Sequence, residues 1–150
     1  MPRSAATNAP PAKSQRGNPE TILQGEVMEA LGLLPGVKVW RNAIGTAVYE
    51  SGARVEYGVG GVGAPDLLVE VFHQPTGHWL AGWLEVKTPV GAVRPDQKTW
   101  HAAARMVTRL SPAARNVAVV RSVDDARGVV AEIQAHGRVV SAWGIEAGRG

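Results

Sequence analysis

The stretch GWLEVKTP, residues 82–89, sets a glutamate and a lysine two positions apart in an otherwise apolar run. Successive strand side chains point to opposite faces, so Glu85 and Lys87 share one face while Leu84 and Val86 share the other. Burying either charged group alone is expensive. A salt-bridged pair at a strand end is one use for them, and Asp66 suggests a chemical one. It opens the preceding strand-like run, DLLVEVF, which a hairpin-length connection joins to residues 79–86. Adjacent strands lie ~4.8 Å apart, so Asp66 and Glu85 can converge on one cation. With the Val86 carbonyl they form an all-oxygen set. That suits Mg²⁺ or Mn²⁺, hard cations that keep waters and bind substrate phosphates. Lys87 can then orient or help to activate a water and balance charge on a pentavalent phosphate.

The loop before Asp66 reads GVGGVG from Gly58 to Gly63, which matches G-x-G-x-x-G. In dinucleotide-binding proteins that fingerprint opens a helix, whose N-terminus receives the pyrophosphate. Here Pro65 blocks a helix, and Leu67-Leu68-Val69-Glu70-Val71-Phe72 reads as a strand. No nucleotide cofactor is expected. The glycines serve an open turn that presents Asp66 at the head of a strand.

Pro65-Asp66 followed by Glu85-Val86-Lys87 resembles the PD-(D/E)xK nuclease superfamily. The wider surroundings sharpen this. The stretches PETILQGEVMEALGLLPGVKVWRN, YGVGGVGAPDLL, WLEVKTPVGAVRPDQKTW and VAVVRSVDD look, in that order, like the VRR-NUC (virus-type replication-repair nuclease) family, over roughly residues 19–130. The resemblance implies a restriction-endonuclease-like fold, divalent-metal phosphodiester hydrolysis and structured DNA as substrate. Small stand-alone members are associated with homodimers acting on four-way junctions, and larger relatives carry the domain in flap-type repair nucleases. The family also implies a glutamate on the first helix. Glu20, Glu26 and Glu29 are available, and the helical wheel puts Glu20 nearest the apolar stripe. Glu20 also stands four residues before Gln24, as the family pattern has it, so Glu20 is the expected third acid and a metal ligand, with Glu26 the alternative. The same resemblance makes Gln97 an active-site glutamine.

Steps of three and four residues join Arg94, Lys98, His101, Arg105 and Arg109 into a basic stripe turned away from Trp100, Ala104 and Val107. Beside a nuclease site, Arg94, Lys98, Arg105 and Arg109 form a candidate phosphate track, with a solvated helix face as the plain alternative. His73, His78 and His136 read as surface residues, and no His-x-x-x-His pair exists for zinc. Trp83 and Trp100 read as core.

These residues need a scaffold, and 150 residues suffice for one domain. The elements read helix (from Asn18-Pro19 to Pro35-Gly36), short strands over 37–57, strands 66–72 and 79–86, helix 95–110, strand 117–121 and a helix capped by Ser122 and ended near Gly137. That order predicts an α/β protein of α+β-like character, a mixed β-sheet flanked by helices. A nuclease domain is expected over 18–143, between a disordered basic tail, 1–17, and a flexible tail, 144–150. The net charge of +3 belongs to that first tail, which carries Arg3, Lys13 and Arg16 and no acid, leaving 13 basic against 13 acidic residues elsewhere. No apolar run is long enough to span a bilayer, and the N-terminus lacks a secretory h-region. With no cysteine, disulfides and thiolate metal sites are excluded, and a cytoplasmic location is expected, in a bacterial cell or a phage-infected host.

The reading is therefore a Mg²⁺- or Mn²⁺-dependent endonuclease for branched DNA, expected to resolve four-way junctions as a homodimer. A catalytically silent DNA-binding module on the same fold is the alternative, as is a flap or general nuclease. The intact Asp66, Glu85 and Lys87 argue against silence. Val37–Tyr57, with Val39, Trp40, Val48 and Tyr49, is the candidate dimer interface, although those side chains could equally fill the core.

Overall fold

Asn18 starts the first helix by accepting the Glu20 N–H at 3.0 Å, and Pro19 fills the first helical position. Helix α1, Pro19–Gly32, ends ahead of Pro35-Gly36, where Gly36 turns the chain at φ +70°. The computed structural model describes residues 17–110 and 116–144, with the side chains of 107–110 outside the description. The tail 1–16, the stop at Ser111-Pro112, the side chains of Val107 and Arg109, and residues 145–150 therefore lie outside the described residues.

After α1 come β1 (Val37–Arg41), β2 (Gly45–Val48), β3 (Arg54–Tyr57), β4 (Leu67–His73) and β5 (His78–Val86). Helix α2 (Pro95–Leu110), β6 (Asn116–Val120) and α3 (Val123–His136) follow. Four strands form one mixed sheet in the order β1-β4-β5-β6. Its first two pairings are antiparallel and β5–β6 is parallel. A parallel pair needs a crossover, and α2 supplies it. Strands β2 and β3 pair only with each other, as a separate hairpin.

Alternation in β4 divides the molecule. Leu67, Val69 and Val71 point into the main core with Leu84, Val86, Ala118 and Val120, beneath Val27 and Leu31 of α1 and Ala126, Val129, Val130 and Ile133 of α3. The opposite face carries Trp83, Val117 and Val119, covered by Ala104 and Trp100 of α2. Helices thus lie on both faces. This is the mixed α/β architecture, sheet and flanking helices, that the element order predicts.

Several details differ from the sequence reading. Ile22, at helical spacing with the apolar residues of α1, is nevertheless 51% exposed. Within the proposed interface Val37 is core and Val39 packs against it, while Trp40 on β1 and Val48 and Tyr49 at the β2–β3 hairpin are exposed. A two-stranded hairpin has no second layer beneath it to bury the last two. At α3 the Ser122 hydroxyl accepts the Asp125 N–H at 3.0 Å as expected, but Asp125 Oδ2 accepts from Arg121 N–H, one residue before the cap. The chain after α3 is docked through Gly144: Glu132 accepts the Val140 and Ser141 N–H groups, and the Trp143 carbonyl accepts from Val119 N–H at the β6 edge. His73 is buried rather than superficial. Its Nδ1 lies 2.9 Å from the Thr76 hydroxyl in the turn it flanks. No helix among the described residues is long and apolar enough to cross a membrane.

Candidate active site

The β4–β5 register pairs Leu67 with Leu84. One step further sets Asp66 opposite Glu85, on the sheet face covered by α2. Asp66 is fixed from β5 as well, because its Oδ2 accepts the Val86 N–H at 2.9 Å. In a strand, N–H and C=O of one residue leave on the same side, so the Val86 carbonyl also faces Asp66. Glu85 is fully buried, and Lys87 and Gln97 nearly so.

Glu85 Oε1 is held twice: Lys87 Nζ lies 3.1 Å away, and Gln97 Nε2 donates to it from the first turn of α2. Gln97 Oε1 in turn accepts the Arg94 N–H at 2.9 Å, which fixes which end of the amide faces Glu85. Lys87 Nζ also lies 3.5 Å from both oxygens of Glu20, on α1. Glu26 and Glu29 are exposed on the far side of that helix. Helices α1 and α2, strand β5 and the residues just before β4 and just after β5 thus bring together Glu20, Asp66, Glu85, Lys87 and Gln97.

Burial pushes the Glu85 carboxyl up to about 8, with the neighbouring Asp66 charge adding to the rise; Lys87 only partly opposes it. Burial raises Asp66 too, against the Val86 hydrogen bond and the Lys87 charge. For Lys87, burial alone would lower the ammonium. The Glu85 contact and the charges of Glu85, Glu20 and Asp66 outweigh it, so the group stays cationic. Among the described residues no donor reaches the buried Glu85 Oε2. One ammonium thus stands against the charges of Glu85, Glu20 and Asp66, and Glu85 Oε2 lacks a hydrogen-bonding partner among the described residues. A hard divalent cation fits that deficit. Among the described residues no three acidic or histidine side chains group to cage a metal. Mg²⁺ does not need a cage, because one or two carboxylates and several waters suffice. Asp66, Glu85 and the Val86 carbonyl are the groups that would hold it.

His101 is a correction. It does not join the basic stripe but is buried beside Lys87, with an unpartnered Nε2. The reason is spacing: Gln97, His101 and Ala104 fall at i, i+4 and i+7 and form the buried face of α2. Burial, and then the Lys87 charge, lower its pKa to about 4. An unfolded histidine titrates near ~6.5. Above that value both states are neutral. Between 6.5 and 4 only the unfolded chain takes the proton, so stability falls as pH drops through this window, by at most about 3 kcal/mol. His101→Leu should flatten the pH dependence of the urea midpoint there. An unchanged slope would show that His101 is not the group responsible.

The remaining stripe residues are mixed. Lys98 is exposed, Arg105 is half-buried, and Arg94 is 67% exposed in its side chain, 3.5 Å from Asp96. The glycine loop leads into β4, not into a helix. Its glycines at 58, 60, 61 and 63 all have positive φ. Gly63 lies so close to the start of α2 that a Cβ would meet the Asp96 carbonyl oxygen at 2.4 Å.

Three side chains secure this region, Asn42 and Arg121 without a role read from the sequence and Trp100 read there only as core. Asn42 clasps the loop at both ends: Oδ1 accepts the Val59 N–H, and Nδ2 donates to the Val59 and Pro65 carbonyls. The Trp100 indole N–H donates to Gly60 O at 2.7 Å. Arg121 Nη1 donates to the Thr88 and Gly91 carbonyls, at 2.6 and 2.7 Å, and so secures the turn after Lys87. Arg121 belongs to the Val-Arg-Ser stretch that contributes to the family resemblance. Asn42 carried no signal, because its partners are 17 and 23 residues away.

A groove of about 420 Å³ opens between the β2–β3 hairpin, the glycine loop and the start of α2, and reaches Asp66 and Gln97. Compared with protein-family models, curated proteins and solved structures, the chain matches none of them.

Proposed function

We propose that this chain is a divalent-metal-dependent phosphodiesterase acting on DNA. More particularly, the reading is a structure-specific endonuclease of VRR-NUC type that resolves four-way junctions as a homodimer in the cytoplasm. The observation that carries it is the convergence of Asp66, Glu85 and Lys87 on one sheet face, with Glu85 Oε2 buried and unpartnered.

When bound, Mg²⁺ or Mn²⁺ would supply Lewis-acid polarisation of a phosphoryl oxygen and a water of lowered pKa. The protein does the rest. Once ionised, Asp66 and Glu85 present oxygens from the adjoining ends of β4 and β5, which the sheet ladder holds together. Gln97 holds Glu85 Oε1 in place from α2, so Oε2 keeps its aim. Lys87 stays charged, orients the attacking water and offsets negative charge as it grows on the phosphorus. Glu20 steadies that ammonium from the α1 side. Lys98 and Arg105 supply cations for flanking phosphates, while Arg94, paired with Asp96, lies at the groove.

The test is a Mg²⁺-dependent cleavage assay over duplex, flap, splayed and four-way DNA. Paired nicks in opposite strands of the four-way junction are expected. Two symmetric cuts need two sites, and each chain holds one set, so a two-fold dimer is the simplest assembly. Light scattering with and without the junction measures it. A monomer in both states would favour a single-nick flap or end nuclease, and binding without cleavage would favour a silent DNA-binding module.

The first-helix acid gives a sharper check. Glu20→Gln should slow cleavage at least tenfold, whereas Glu26→Gln, on the exposed side of α1, should leave it within about twofold. Equal effects, or the reverse order, would remove Glu20 from the site.

A further inference from the structure

The groove beside Asp66 is lined by Glu56, Asp66 and Asp96, against one cation, Arg94. A phosphate would be repelled there. A flat uncharged ring would not, and the groove offers one an aromatic surface. Tyr57 is 51% exposed and lines it, and its hydroxyl end lies across its strand partner Gly45: a Cβ at Gly45 would collide with the Tyr57 hydroxyl and ring. Gly45 thus provides a seat for the ring. Opposite, the glycine loop presents backbone with few side chains, held open by Asn42.

We propose that this groove receives one unpaired DNA base next to the scissile phosphate, stacked on Tyr57. Three observations support it. The groove is continuous with Asp66 and Gln97. Its volume of about 420 Å³ is of nucleoside size. Its charge excludes the backbone and admits the base. Sequence-tolerant stacking of a base on an aromatic ring is a common mode of single-strand binding. Such a pocket would favour branch points, where a base is already unstacked and extrusion costs least.

This assignment rests on the nuclease reading, and its test separates the two. Four-way junctions carry 2-aminopurine at single positions around the branch, and fluorescence is read in Ca²⁺ with the full chain. Stacking on Tyr57 should quench one position. Tyr57→Ala should abolish that quenching and lower kcat/KM on junctions at least tenfold, while Tyr57→Phe restores both. Gly45→Ala keeps the ring but unseats it, so it should reproduce the Tyr57→Ala loss with little change in melting temperature. If the wild type cleaves junctions but no position is quenched, or Tyr57→Ala cleaves at the wild-type rate with the wild-type signal, the base pocket is overturned and the nuclease stands. If a position is quenched through Tyr57 but no DNA is cleaved in Mg²⁺, the nuclease reading fails and the base pocket survives.

Discussion

Glu85→Gln is expected to reduce cleavage to background and, at the same time, to make the metal-free protein more stable at alkaline pH. The wild-type carboxyl is buried, has an unpartnered oxygen and is raised to about 8. Glutamine keeps the shape. Its carbonyl can still accept from Lys87 and Gln97, while its amide can donate to Asp66 where the native oxygen has no donor. Above pH 8 the buried charge is gone, and the gain should be roughly a few kcal/mol. Lys87→Met should also silence the enzyme, by about 10²–10⁴-fold. It should destabilise, however, since three carboxylates then share a site with no ammonium. Urea unfolding at pH 8.5 and single-turnover cleavage measure the two properties on one set of samples. Near-wild-type turnover in either folded variant would refute the assignment. So would a Glu85→Gln protein less stable than wild type at that pH.

The second large effect is the exchange of a proton for a metal. The folded pKa of Glu85 is raised above its unfolded value, so its contribution to stability is fully present below about 4.5 and is lost as pH rises through about 8. A divalent cation in place of the Glu85 proton should reverse that loss. Mg²⁺ should therefore raise the melting temperature more at pH 8 than at pH 5. At a hundred times its dissociation constant it should add about 2.7 kcal/mol. His101 works in the opposite direction over its own window, so the difference between wild type and Glu85→Gln isolates Glu85. Cleavage should vanish in excess chelator and return with Mg²⁺ or Mn²⁺. Ca²⁺, larger and less demanding in geometry, should support binding better than cutting. A pH-independent Mg²⁺ shift, or full activity in chelator, would remove the cation from Asp66 and Glu85.

Periodicity made most of the scaffold legible. Alternation along β4 and β5 was enough to put Asp66, Glu85 and Lys87 on one face, and Asn18, Ser122 and Gly137 marked helix ends through local hydrogen bonds. Errors arose where neighbours along the chain do not decide the outcome. His101 fits both a basic stripe and the buried face of α2, and only the sheet beneath the helix decides. The β2–β3 hairpin has strand-like, apolar residues, yet nothing in its own pattern says whether a second layer covers it. Asn42 and Arg121 act on backbone carbonyls far away in sequence, so composition and spacing carry no trace of them. The shared ammonium at Lys87 needed three separate elements to meet, and residue types alone could suggest that meeting without giving its distances.

The hairpin holding Tyr57 shares no ladder with the main sheet. Its backbone hydrogen bonds depend on four pairs of residues, whereas Asp66 and Glu85 are rooted in strands buried on both faces. Amide protons of the two regions should therefore exchange on separate clocks: hairpin amides through small local openings, β4 and β5 amides only through global unfolding. In the free protein the carboxylates keep their spacing while the hairpin breathes, so part of the free energy of substrate binding is spent on freezing it. That cost is the same for every DNA, so a substrate with an already ordered branch point binds better because it adds none of its own. A difference in DNA rigidity thus becomes a difference in affinity, and no residue has to read the sequence.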